Sequence, residues 1–133
     1  MNDEVVQKKL HFEELFIPDS QYVGILYYNG KLVGSATLNK QRITPRIIVE
    51  LGNDECFFFN RLKVQPGNRG RGFGKILIDK VVNFFQEHRL SIWNELNPYG
   101  HLDKDELRDF YLRYGFKRFD DNIVYFVPEE DSK

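Results

Sequence analysis

Cysteine occurs once in the 133 residues, at Cys56. No internal disulfide can form, so the chain reads as made for a reducing compartment, the cytoplasm. No apolar run approaches the roughly 18 residues that a membrane-spanning helix requires, so no membrane partner is expected. Met1 to Lys9 lacks the apolar centre of a secretory signal. Excess charge is missing too. Against 19 Lys and Arg stand 20 Asp and Glu, a net charge of −1 that gives no bulk reason to bind nucleic acid. The three histidines and one cysteine have no ligand-like spacing, so no metal is expected. Repeats, low-complexity stretches and linkers are also absent, and 133 residues hold one core, so residues 1–133 read as a single domain.

What is present is a globular composition, 41% hydrophobic and 29% charged, with strong local punctuation. Residues 3–16 carry Val6, Leu10, Leu15 and Phe16 among charges and read as a modest helix ended by Pro18. Tyr22 to Tyr28 and Lys31 to Leu38 read as strands around Asn29-Gly30, a type I′ hairpin turn. A second hairpin is expected from Arg46 to Leu51 and Cys56 to Val64, turning at Gly52-Asn53-Asp54. Residues 75–88 have the apolar stripe Ile78, Val81, Val82 and Phe85 of a helix, and Ser91 to Leu96 reads as a short strand. Asp103 and Glu106 have capping-box spacing ahead of Leu107, Phe110, Tyr111 and Tyr114, with Gly115 as the stop. Phe116 to Phe119 and Ile123 to Val127 complete the strands. The fold class that follows is α+β (mixed α/β), one mostly antiparallel sheet covered by helices.

The densest chemistry lies in Arg69-Gly70-Arg71-Gly72-Phe73-Gly74-Lys75, between a strand and a helix. A helix N-terminus offers unpaired N–H groups and the positive end of its dipole, and glycine lets a phosphate come close. From Asn60 to Lys75 the cations are Arg61, Lys63, Arg69, Arg71 and Lys75, with no acidic residue. A small polyanion is the expected ligand. The P-loop pattern fails, because Arg69 stands where it needs glycine and Ile76 where it needs Ser or Thr. The dinucleotide pattern fails at Lys75. Arg69, Gly72 and Gly74 instead match R/Q-x-x-G-x-G/A.

With Leu62-Lys63-Val64-Gln65-Pro66 before that loop, Asn97 after the next strand, and Phe110-Tyr111 with Tyr114-Gly115-Phe116, the chain resembles the GNAT superfamily of acyl-CoA-dependent N-acetyltransferases over roughly residues 20–127. The resemblance implies acetyl-CoA as acyl-donor cosubstrate. The strand backbone at Leu62, Lys63 and Val64 would hold the pantetheine arm, residues Gly70 to Lys75 and the two arginines the pyrophosphate, and Asn97 the arm. Tyr111 would protonate the departing thiolate, as a phenol with a reference pKa of about 10 can at neutral pH. On residues alone, Tyr111 also fits a core position on its apolar stripe. The implied acceptor is an amine of a small molecule or a protein, with a homodimer as one open assembly.

The sequence departs from the family's pattern in three places. Phe58, followed two positions later by Asn60, stands where many relatives carry a basic glutamate; Glu50 and Glu55 read as hairpin charges. Asn97 and Tyr111 are far apart, with Tyr99-Gly100-His101 between them and His101 a candidate base. The N-terminal part is short. These departures motivate a second reading, a GNAT-fold module that binds CoA or a protein partner without transfer. A third, an Arg-Gly single-strand binder, would need strongly salt-dependent binding.

Overall fold

The computed structural model describes residues 9–42, 55–68, 70, 72–96 and 103–129. Seven strands form one sheet in the order β1-β2-β3-β4-β5-β7-β6. They are β1 (Leu10–Ile17), β2 (Gln21–Tyr28), β3 (Lys31–Arg42), β4 (Glu55–Val64), β5 (Ile92–Glu95), β6 (Lys117–Arg118) and β7 (Ile123–Phe126), with helices α1 (Phe73–Glu87) and α2 (Lys104–Arg113). All neighbouring strands are antiparallel except β4 and β5. This is the mostly antiparallel sheet with covering helices that the sequence predicts.

Residues 10–17 are a strand, which corrects the expected helix over 3–16; residues 3–8 lie outside the described residues. Period two wins there. Leu10, Phe12 and Phe16 turn to the core, and Glu14 between them accepts a 2.6 Å hydrogen bond from the buried Tyr22 hydroxyl. Leu15, which a helical stripe would bury, is 57% exposed. The first hairpin forms as expected, with Asn29 and Gly30 at φ 55° and 76°, both left-handed as a type I′ turn demands. Strand β3 runs four residues beyond the expected Leu38 to pair with β4 up to Arg42–Glu55. The expected strand Arg46 to Leu51 and its turn lie outside the described residues. Of the strand expected over Phe116 to Phe119, only Lys117 and Arg118 pair; Phe116 belongs to the core instead.

Both described helices lie on one face of the sheet. Ile78, Val81 and Phe85 of α1 pack over Leu38, Phe57 and Phe59, Tyr111 of α2 joins them beside Phe116 and Phe126, and Leu77 packs with Leu26 and Val33. Gly34 lets α1 and β4 approach β3, since a Cβ there would meet Leu77 Cδ1 at 2.6 Å and the Lys63 carbonyl at 2.9 Å. On the other face a smaller cluster gathers Cys56, Trp93, Phe119, Ile123, Tyr125 and Val127, with no described helix residue in it.

Candidate active site

Strands β4 and β5 start side by side and then part. Their pairs are Phe57–Ile92 and Phe58–Trp93 only, after which β5 continues with β7 and β4 continues with β3 to Val64. The parting coincides with a bulge. Thr37 pairs with Arg61 while Leu38 pairs with Phe59, so Asn60 is an extra residue in β4. The bulge also resets the alternation. Phe57 and Phe59 before it and Leu62 and Val64 after it all turn to the helix-covered core, an arrangement that strict period two would not allow.

Between the diverging strands opens a cleft of ≈ 340 Å³, its mouth included. Phe58, Phe59, Asn60, Arg61 and Leu62 of β4 form one wall, Asn94 and Glu95 of β5 the other, and Leu107 and Tyr111 of α2 close it. Tyr111 is 3% exposed and held by edge-on rings, with Phe59 at 5.8 Å and Phe116 at 5.2 Å. The sequence cues around it behave as read. Asp103 Oδ1 accepts from the Glu106 amide at 2.8 Å, while the Asp103 amide donates to Glu106 Oε1 at 3.1 Å, so α2 starts where the capping box sets it. Gly115, at φ 95°, ends the turn after it. Tyr111 is therefore both a core residue and a wall of the cleft.

Of the expected anion loop, Gly70, Gly72, Phe73, Gly74 and Lys75 are described, and Arg69 and Arg71 lie outside the described residues. Gly70 and Gly72 stand at φ 82° and 84°, and open space surrounds the position of a Cβ at Gly67, Gly70 and Gly72. Helix α1 begins at Phe73, two residues before the expected Lys75. It has no side-chain cap, and no acidic residue stands in its first turn. Its amides and dipole are left for a ligand, and the backbone around the glycines leaves room for one. Phe73 itself turns away into the core against Tyr28, 5.6 Å between ring centroids. Gly74 would place a Cβ 3.6 Å from Val64, so the start of α1 sits against the end of β4. Leu62 lines the cleft, and Lys63 and Val64 lead from it toward this helix start. Asn97 and His101 lie outside the described residues, as does Glu50; of Glu55 only the backbone is described.

Sequence reasoning missed Arg61, Asn94, Glu95 and Leu107 as cleft residues. The available signal was the alternation of β5, where Ile92 and Asn94 are buried, Trp93 is half-buried and Glu95 is exposed at the strand's end. Cys56 is buried and its thiol is pushed up to about 12 by that burial, which makes it a poor nucleophile. Among the described residues, no group of three or more His, Cys, Asp or Glu is placed to hold a metal. No helix there is long and apolar enough to cross a membrane.

The sequence pattern of the acetyltransferase (GNAT) domain matches residues 19–118. No curated protein matches the sequence significantly. Among solved structures, AtaTR bound with AcCoA superposes at a TM-score of 0.62 and 17% identity, covering 90% of this chain and 94% of that one. The ribosomal-protein-S18-alanine N-acetyltransferase from Escherichia coli gives 0.62 at 12% identity, covering 97% and 87%. The KacTA–DNA complex gives 0.62 at 17%, covering 84% and 70%. At such identities the likeness is one of fold.

Proposed function

The chain belongs to the GNAT acetyltransferase family, and from that premise we propose that it is an enzyme that moves an acetyl group from acetyl-CoA to an amine by direct attack. The observation that carries this reading is the parting of β4 from β5 at the Asn60 bulge, with Tyr111 in the cleft and an uncapped helix start beyond it. The β4 backbone at Leu62, Lys63 and Val64 takes the pantetheine arm. The amides of residues 70–75, with Arg69, Arg71 and Lys75, take the pyrophosphate, and Asn97 contacts the arm. Residues 1–133 act as one acyltransferase domain.

Glu95 is the carboxylate among the described cleft residues, and it accepts the proton that the incoming ammonium must lose. The freed nitrogen bonds to the thioester carbonyl carbon, and β4 amides at the bulge hold the developing oxyanion. As the C–S bond breaks, the Tyr111 hydroxyl gives its proton to the sulfur, and the tyrosinate so formed takes up the second proton that the nitrogen loses as it becomes the amide. Holding both partners in one cleft turns a bimolecular encounter into an oriented step. We place the protein in the cytoplasm, with a small-molecule or protein amine as acceptor and neither metal nor nucleic acid in the reaction.

A second reading, a CoA-binding module without transfer, is favoured by Phe58 standing where a strand carboxylate would serve as base. Thiol release from acetyl-CoA across a panel of amines separates the two. The enzyme reading predicts release that rises with one class of amine and an acetylated amine in the mass spectrum. Slow release that no amine accelerates would instead support the module.

A further inference from the structure

The cleft opens beside the sheet face that carries no described helix. Strand register sets Phe58, Trp93 and Tyr125 side by side across β4, β5 and β7, with the Phe58 and Trp93 ring centroids 4.6 Å apart. All three residues are half-buried, so they form an apolar floor that is still reachable, with the Phe58 and Trp93 rings tilted by 49° to each other. Glu95 lies two residues beyond Trp93 on the same face and is exposed in the cleft, and no described side chain pairs with its carboxylate. Two residues of strand set the Glu95 Cα about 7 Å from that of Trp93, so its carboxylate is within side-chain reach of the aromatic row.

We infer that the acceptor is a primary amine whose nitrogen stands two or three bonds from an aromatic or similarly flat apolar group. The inference rests on the transferase reading and narrows its acceptor. An ammonium at Glu95 then leaves its ring over Phe58 and Trp93, within the spacing that the strand fixes. Polyamines and aminoglycosides fit poorly. Their further ammonium groups need further carboxylates, whereas the other charged residue among the described residues of the cleft wall is Arg61, which repels them. The chemistry is shared by a free arylalkylamine and by a polypeptide whose first residue has an aromatic side chain.

The test is equilibrium binding to the CoA-saturated protein, which has no acyl group to transfer, using phenethylamine, butylamine, spermidine and a tetrapeptide beginning with phenylalanine. Phenethylamine is expected to bind at least tenfold more tightly than butylamine or spermidine, since burying a ring on an apolar floor supports a preference of that order. Phe58→Ala is expected to remove most of that preference, lowering phenethylamine affinity by a larger factor than butylamine affinity. Equal or weaker binding of phenethylamine by the wild-type protein overturns the inference, and needs no variant to do so. Failure to acetylate any amine bears on the transferase reading alone. A tetrapeptide bound more tightly than phenethylamine assigns the site to a polypeptide N-terminus, and the reverse order assigns it to a free amine.

Discussion

Tyr111 does two jobs with one side chain. Its ring is held by Phe59, Phe110 and Phe116, and its residue lines the cleft beside Glu95. Tyr111→Phe keeps the ring and removes only the proton donor. It should lower kcat by about 10²-fold, within the range for a general acid, while acetyl-CoA affinity stays within about twofold; unchanged kcat in steady-state assays would reject the role. Cys56 is the opposite case, a residue whose chemistry is switched off by packing. The unfolded thiol ionises near 9.0, whereas the folded one holds its proton to about 12. Above pH 9 the unfolded state therefore binds fewer protons, and this contribution to stability, complete below pH 9, is lost as pH rises toward 12. Tyr22 adds to the same trend, its phenol raised by burial and then by the hydrogen bond to Glu14. Urea midpoints at pH 8 and pH 10.5 check it: the stability gap between wild type and Cys56→Ala should narrow at the higher pH, and a constant gap would contradict the burial argument.

At the scale of elements, the site is made by two strands that stop agreeing. The bulge at Asn60 keeps Leu62 and Val64 on the core side, and Gly34 on β3 lets β4 and α1 close against that stretch. Gly34→Ala puts a methyl group against the Lys63 carbonyl, which is backbone and cannot swing aside. It should cost about 1–3 kcal/mol of stability, the usual range for overpacking, and weaken acetyl-CoA binding because the displaced strand is the proposed pantetheine rail. A variant of wild-type stability in thermal melts would show that the rail has slack. The elements that sequence revealed best were those with chemical endpoints: Asn29-Gly30, the Asp103–Glu106 box and Gly115 each mark a boundary by a conformation or a bond available to few residues. The expectation of a helix over 3–16 rests on the i, i+4 pair Val6 and Leu10 and on apolar residues scattered among charges, while the pairing with β2 that makes 10–17 a strand is not visible in the stretch itself. Asn60 gave no local sign of a bulge. Its extra position exists only relative to Thr37 and Leu38 on β3, and the cleft depends on it. Glu95 was missed for the same reason, since a strand end becomes a site wall only when the neighbouring strand departs.

For the molecule as a whole, the net charge of −1 conceals a division of labour. The helix-covered face builds the core, the parted strands build the cleft, and the open face offers aromatic rings next to Glu95. The glycine-rich start of α1 stands at the far end of β4, uncapped and with open space around Gly70 and Gly72, where we propose that the anion binds. That site is the centre of the account, because a cleft without a phosphate anchor would have no reason to prefer a CoA thioester over any other acyl donor. The measurement that reaches it most directly is a calorimetric titration of acetyl-CoA into the wild-type chain and into the Arg69→Ala, Arg71→Ala double variant. The account predicts one saturable site per chain, with Kd raised at least tenfold in the double variant. An unchanged Kd, or no saturable binding to the wild type, would contradict it.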